Sequence, residues 1–449
     1  MAFDISTQPL LIEAIHTMGA GFSLPPSESA ADQERLQAIL NETALRLHEN
    51  YPYHHPLYLG QMLKPPHPLA RLAYSLAMYL NPNNHALDGG RASSIMEKEA
   101  VAQIASMFGW QTHLGHLTSG GTFANLEALW VSRESHPGKA VVASAQSHYT
   151  HSRISAVLGI PFRKIAADTL GRMDVAALEA ELEKGDVGTV VVTLGTTAAG
   201  TVDPLPAILA LQKQYPFRIH VDSAYGGYFT LANNLDCPAR GAYDALNLVD
   251  SIVIDPHKHG LQPYGCGCVL FRDPSVGKFY RHDSPYTYFT SDEMHLGEIS
   301  LECSRPGASA VALWATLQLL PLERGGAFAQ SLEACRQAAL ALETYLRTTK
   351  HFVPIFRPEL DIVVWAVRST TAGEASSRAR QFFDLAAKED VHLALAGFPR
   401  SMVEKCGAIE QWDADQVTCL RSCLMKPEHL TWMPEITKRL EQTLAKCRW

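Results

Sequence analysis

Between residues 139 and 272, short apolar runs alternate with amphipathic segments. The runs at 140–143, 187–194, 218–221, 251–254 and 266–271 have the length of buried strands, and the segments 174–184 and 205–215 between them carry a helical period. This alternation predicts an α/β fold: a mainly parallel sheet with helices on both faces. Helical patterning also marks 69–80, 92–110 and 123–134 upstream of the sheet and 308–319 beyond it. Near the N-terminus, Leu36, Ile39, Leu40 and Leu47 form a stripe among the polar residues of 31–48, after the break SLPPSE at 23–28. Such an arm has no core of its own and must pack on the main body or on a second subunit. Residues 327–449 alternate long helices (328–347, 376–388, 434–446) with strand-like runs (362–367, 392–396, 417–424), which predicts a smaller α+β C-terminal domain. In the last run Val417, Cys419, Arg421 and Cys423 share one face of a strand. The expected division is a helical arm at 1–55, a large domain at 56–325 and a small domain at 326–449.

Length agrees with this division, because 449 residues exceed what one hydrophobic core supports. A hydrophobic share of 47% against 19% charged residues describes an ordinary folded protein. The net charge of -8, with no run of Lys or Arg, argues against nucleic acid and acidic membranes as partners. The opening MAFDISTQPL has no basic n-region or sustained apolar core, and no apolar run approaches the roughly 18 residues that span a bilayer. Nine scattered cysteines without a Cys-x-x-Cys pair point to reduced thiols in a cytoplasm.

In open α/β sheets, ligands gather at the carboxyl ends of the strands. The residues that follow the runs are Ser147-His148-Tyr149, Gly195-Thr196-Thr197, Asp222 to Gly227, and Asp255-Pro256-His257-Lys258-His259-Gly260. Each has a plain reading alone: a strand-end acid, a turn, a surface lysine. Together they set a His, a Thr pair, an Asp and a Lys on one rim. Upstream, Thr118-Ser119-Gly120-Gly121-Thr122 opens into the 123–134 helix. Its glycines admit a ligand close to the backbone and the helix dipole favours an anion, although a capped helix after a tight turn has the same sequence. The loop is neither a Walker A motif nor a GxGxxG dinucleotide turn. Pyridoxal 5′-phosphate requires an anion site, a lysine amine and an acid for its ring nitrogen. Lys258 would form the internal aldimine, Asp222 would pair with the pyridinium N–H, and Gly120, Gly121 and Thr122 would hold the phosphate. His148 would stack on one ring face and Ala224 cover the other. His257 and Thr197 complete the expected cofactor site.

The segments HPLYLGQM (55–62), TSGGTFANLEAL (118–129), HVDSAYGGYF (220–229), DPHKHG (255–260) and SLECSRPGASAVALW (300–314) carry a family resemblance over roughly 50–330. The chain resembles the group II amino-acid decarboxylases, fold-type I pyridoxal-phosphate enzymes. The resemblance implies the same roles for Lys258, Asp222, His148 and Ala224, and decarboxylation of an L-amino acid to an amine and CO2. It also implies an obligate homodimer, with active sites at the subunit interface and an arm that helps join the subunits. In related decarboxylases a loop near 273–299 delivers a proton-donating tyrosine, so Tyr286 and Tyr288 are the candidates. The 303–307 segment would reach the partner subunit's phosphate. Arg421 matches an arginine that binds the substrate carboxylate, with an internal salt bridge as the alternative. His55 is a second candidate on the substrate side. His54, His55 and His67 lack the spacing of a helical zinc site, and no metal is expected. His259 stands where aromatic-amino-acid decarboxylases often have Trp, is similar to the tyrosine/aspartate decarboxylases, and is expected to read the substrate. The same ending resembles sphingosine-phosphate lyase, so carbon–carbon cleavage is the alternative reaction. A binding protein without activity would not need Lys258, Asp222 and His148 together. A NAD-dependent oxidoreductase would need a glycine-rich turn after the first strand. The side chain of the substrate is not legible.

Overall fold

The apolar runs of the sequence lie side by side in one sheet. The computed structural model describes residues 5–21, 23, 32–281, 294–447 and 449. Its principal sheet has seven strands: β1 (Leu114–Thr118), β2 (Ala140–Ser144), β3 (Phe162–Ile165), β4 (Val187–Thr193), β5 (Arg218–Asp222), β6 (Ser251–Ile254) and β7 (Gly267–Phe271). Their spatial order is β1-β7-β6-β5-β4-β2-β3. Strands β2 to β6 are mutually parallel, and β7 runs antiparallel to both β6 and β1. Every position of β2, β4, β6 and β7 is buried. Strands covered on both faces carry continuous apolar runs, which is why these were legible. The sequence pattern misses β1 and β3. β1 carries a buried histidine, His116, 3.1 Å from the Glu127 carboxylate. β3 is an edge strand with a half-buried Arg163 and an exposed Lys164.

Helices α1 (Gln8–Gly19) and α2 (Gln33–Leu47) bury no residue. Next come α3 (Pro68–Met78) and α4 (Leu87–Met107). Helices α5 (Gly121–Ser135), α6 (Thr150–Leu158), α7 (Val175–Leu182), α8 (Leu205–Leu211) and α9 (Cys237–Asp244) follow β1 to β5 in turn. The strand ends therefore open on one rim. No helix joins β6 to β7, and the 255–266 connection crosses the rim instead. Helix α10 (Gly307–Leu319) packs on α3 and α4. None of the described helices is long and apolar enough to cross a membrane.

The chain then runs through α11 (Ala327–Thr348), β8 (Phe352–Pro354), β9 (Ile362–Val367), β10 (Ser369–Thr371), α12 (Ala372–Lys388), β11 (Ala394–Pro399), α13 (Arg400–Val403), β12 (Ile409–Gln411), β13 (Gln416–Cys423) and α14 (Glu428–Lys446). A second sheet of order β11-β13-β9-β8 is antiparallel throughout. Trp365 is fully buried in it, with the rings of Phe352 and Phe382 at 4.6 and 5.7 Å. The alternation predicted for β13 is realised. Val417, Cys419 and Cys423 join the main core, whereas Leu420 and Leu424 join the core under α11, α12 and α14. Helix α14 starts at Glu428, earlier than the expected 434, with Pro434 inside it. The proline removes one backbone donor without ending the helix. Residues 57–61 run along this second sheet: Leu59 N–H donates to His392 O and Cys423 N–H to Leu59 O, both at 2.8 Å.

Candidate active site

At the carboxyl end of β1 the chain turns through Ser119-Gly120-Gly121 into α5. No side chain caps α5, so its first N–H groups are open to an anion. The turn needs glycine at two positions. Gly120 has φ +157°, and a Cβ on Gly121 would lie 2.8 Å from an Asp255 carboxylate oxygen. Across the rim, the 255–266 connection presents Lys258, whose Nζ is 3.0 Å from Asp255 Oδ2. His257 Nε2 lies 3.5 Å from the same oxygen, and its ring faces that of Tyr264 at 4.6 Å. Burial lowers the pKa of His257, against the raising charge of Asp255.

Asp222, the last residue of β5, is the electrostatic centre of the rim. Its Oδ2 lies 2.8 Å from His151 Nε2 and 3.3 Å from Asn125 Nδ2, and its Oδ1 accepts the Ala224 N–H at 3.1 Å. Burial works to raise the Asp222 pKa. The His151 hydrogen bond and charge, the Ala224 N–H and the Lys258 charge outweigh it and hold the carboxyl well below the usual carboxylate range. His148, just ahead of α6, has Nδ1 2.7 Å from Thr150 Oγ1. Burial keeps its pKa low, against the charge of Asp222.

These groups enclose one cavity of about 430 Å³. Gly120, Gly121, Thr122, His148, Thr197, Asp222, Ala224, His257 and Lys258 all line it, as do Asn125, Tyr225 and Asp255. The residues present fit pyridoxal 5′-phosphate: an uncapped helix start for its phosphate, a lysine amine for its aldehyde, and an ionised acid for its ring nitrogen. His257 Nδ1 and Asp255 Oδ1 are buried with no hydrogen-bond partner among the described residues, which leaves polar capacity for a ligand.

Other expected residues lie elsewhere. Arg421 is only 5% exposed, and its Nε and Nη2 have no hydrogen-bond partner among the described residues. Its Nη1 is 3.5 Å from Gln61 Oε1. Among the described residues Arg421 makes no ion pair, the alternative that the sequence left open. His55 does not reach the Lys258 cavity. Its ring meets Trp432 at 5.1 Å in a separate groove, beside Asp390 and Arg439. Tyr286 and Tyr288 lie outside the described residues. The 303–307 segment leans on its own subunit: Arg305 pairs with Glu97 at 2.7 Å, and the neighbouring Glu302 accepts the Ser119 N–H at 2.9 Å.

His259 is corrected by the structure. It does not line the cavity; it is 1% exposed, packs edge-on to Tyr225 and Phe229, and sits 3.1 Å from Asp361 Oδ2. Asp361 Oδ1 accepts from Tyr225 OH at 2.7 Å, so His259 braces a cavity residue from behind. Asn125, His151, Asp255 and Gln61 were not singled out from the sequence. Asn125, Asp255 and Gln61 nevertheless lie inside three of the segments that carry the family resemblance, and His151 stands three residues after His148 at a helix start.

Residues 25–368 match the pyridoxal-dependent decarboxylase conserved domain. The chain is 25% identical over 527 residues to L-tyrosine decarboxylase of Enterococcus faecium, covering 88% of this chain and 86% of that one. It is 30% identical over 322 residues to a probable L-tyrosine/L-aspartate decarboxylase of Methanoculleus marisnigri, covering 70% and 85%. A crystal structure of Oryza sativa TDC with PLP and tryptamine shares the fold, with TM-score 0.78, 17% identity and coverage of 99% of both chains.

Proposed function

Because this chain belongs to the pyridoxal-dependent decarboxylase family, we propose that it converts an L-amino acid to the corresponding amine and CO2, with pyridoxal 5′-phosphate in the cavity around Lys258. The observation that carries this reading is the meeting of Lys258, Asp222, His148 and the open start of α5 on one cavity. The cofactor supplies an electron sink for the bond that breaks. The remaining work falls to the chain. Gly120, Gly121 and Thr122 cradle the phosphate. Asp222, held ionised, keeps a proton on the ring nitrogen. His148 and Ala224 would cover the two ring faces, and Thr197 and His257 would complete the site. Lys258 would hold the cofactor through its amine, with Asp255 at 3.0 Å as that amine's partner.

Arg421 anchors the substrate carboxylate. A buried guanidinium is costly unless an anion arrives, the described residues supply none, and Gln61 stands beside it to share that anion. Tyr286 or Tyr288 protonates the α-carbon after CO2 leaves. The proposal extends to a homodimer, because α1 and α2 bury nothing within the chain while Leu36, Ile39 and Leu40 stay exposed. Nine unpaired cysteines suit a reducing cytoplasm. The names of the relatives make tyrosine and aspartate the first amino acids to try.

The test is a screen of the purified protein, with pyridoxal 5′-phosphate added, against the standard amino acids for release of CO2 and amine. One or more should react, and borohydride should fix the cofactor on the peptide that contains Lys258. If no amino acid reacts while a phosphorylated long-chain amino alcohol is cleaved, the enzyme is a carbon–carbon lyase. Label on another lysine overturns the site assignment.

A further inference from the structure

Behind Asp222 the protein holds a chain of polar side chains that runs from the cavity wall at Asn125 into the core. His151 lies in the first turn of α6 and is fully buried, with Nε2 2.8 Å from Asp222 Oδ2. Asn125 Nδ2 is 3.3 Å from the same oxygen. Asn125 Oδ1 is 2.8 Å from His220 Nε2, and His220 Nδ1 is 2.9 Å from Ser251 Oγ. An ionised carboxylate only accepts, and that fixes every proton in the chain. His151 must carry its proton on Nε2. Asn125 must turn its NH2 to Asp222 and its carbonyl to His220. His220 then carries its proton on Nε2 and accepts from the Ser251 hydroxyl. Each donor points toward Asp222. Burial pushes the His220 pKa down to about 3, which keeps that ring neutral, as the relay requires.

The two carboxylate oxygens end up with different duties. Oδ2 is claimed by two donors, whereas among the described residues Oδ1 takes only the Ala224 N–H at 3.1 Å. We infer that His151 is a positioning residue which, with Asn125, pins Oδ2 so that Oδ1 is left for the cofactor's ring nitrogen. The inference rests on the reading of the cavity as a pyridoxal 5′-phosphate site. Without His151, Asn125 alone would hold Oδ2 and the carboxylate plane would be free to turn. His151 Nδ1 is buried and has no partner among the described residues, so one donor atom carries the interaction. An amide can replace one donor atom and a phenyl ring cannot. The titratable groups around Asp222 are His151, His148, His220 and Lys258.

The experiment compares full-length wild type, His151→Phe and His151→Gln. It measures the Kd of the apoprotein for pyridoxal 5′-phosphate and the pH profile of the bound cofactor's absorption. His151→Phe should weaken binding by about tenfold or more, the scale of one hydrogen bond to a charged group. It should also displace the absorption profile on the pH axis, and His151→Gln should restore much of both. An unchanged Kd and profile in the Phe variant overturns the inference. So does equal loss in both variants together with a fall in Tm, which marks a packing role. If the wild type itself binds no cofactor, the reading of the cavity fails, and the inference fails with it.

Discussion

Asp222 and Arg421 are buried ionisable groups and Lys258 a half-buried one, and they differ in what satisfies them. Lys258 has Asp255, Asp222 has His151 and Asn125, and Arg421 has no counter-ion among the described residues. That difference makes Arg421→Met informative. Removing a buried, uncompensated charge should leave Tm level or raise it. If the guanidinium receives the substrate carboxylate, KM should rise by about tenfold or more. A lower Tm with unchanged KM would assign Arg421 to structure alone. Gly121 tests the opposite kind of constraint. A methyl group there would meet the Asp255 carboxylate at 2.8 Å, and relieving such a clash costs about 1–3 kcal/mol. Gly121→Ala should therefore lower Tm by several degrees and weaken cofactor binding. Unchanged melting and binding would show that the loop yields freely.

At the level of elements, a strand was readable where its residues form an apolar run and unreadable where polar or charged residues interrupt it, as His116 does in β1. β4 is apolar along its centre and was found; β3 exposes Lys164 at the sheet edge and was not. Buried histidines on these elements set an acid limit on the fold. Burial pushes His220 in β5 and His429 in α14 down to about 3. Below the ordinary histidine pKa of about 6.5, the unfolded chain binds protons that the native state refuses. Stability then falls as pH drops, by about 1.4 kcal/mol per pH unit for each such histidine. The carboxyl of Asp222, also held low, adds to the loss only in more acid solution. Urea midpoints should decline steadily from pH 7 to pH 4.5, and the replacement His220→Gln should flatten the slope. Burial pushes the Asp203 carboxyl up to about 7, which offsets part of this slope, so an unchanged slope in the His220→Gln protein is the result that would remove His220 as its source.

For the whole molecule, the arm is the unsatisfied part. Leu36, Ile39, Leu40, Leu45 and Leu47 are 49–72% exposed on a helix that buries nothing. Light scattering should report twice the chain mass of 49.3 kDa. Leu36→Asp with Leu40→Asp should shift the protein toward monomer and lower activity; a full-strength monomeric wild type would remove the arm from that role. The sequence by itself determined the α/β class, the second sheet and the rim of His148, Asp222, Lys258 and the glycine loop, because strand ends in a parallel sheet share one edge whatever the loops do. Only the tertiary structure decided which atoms act on which. Asn125 reaches Asp222 across 97 residues, Gln61 reaches Arg421 across 360, and His259 turns to Asp361 and away from the cavity. Such pairings depend on how helices and the second sheet close over the rim, and local patterns of apolar and polar residues do not encode that closure.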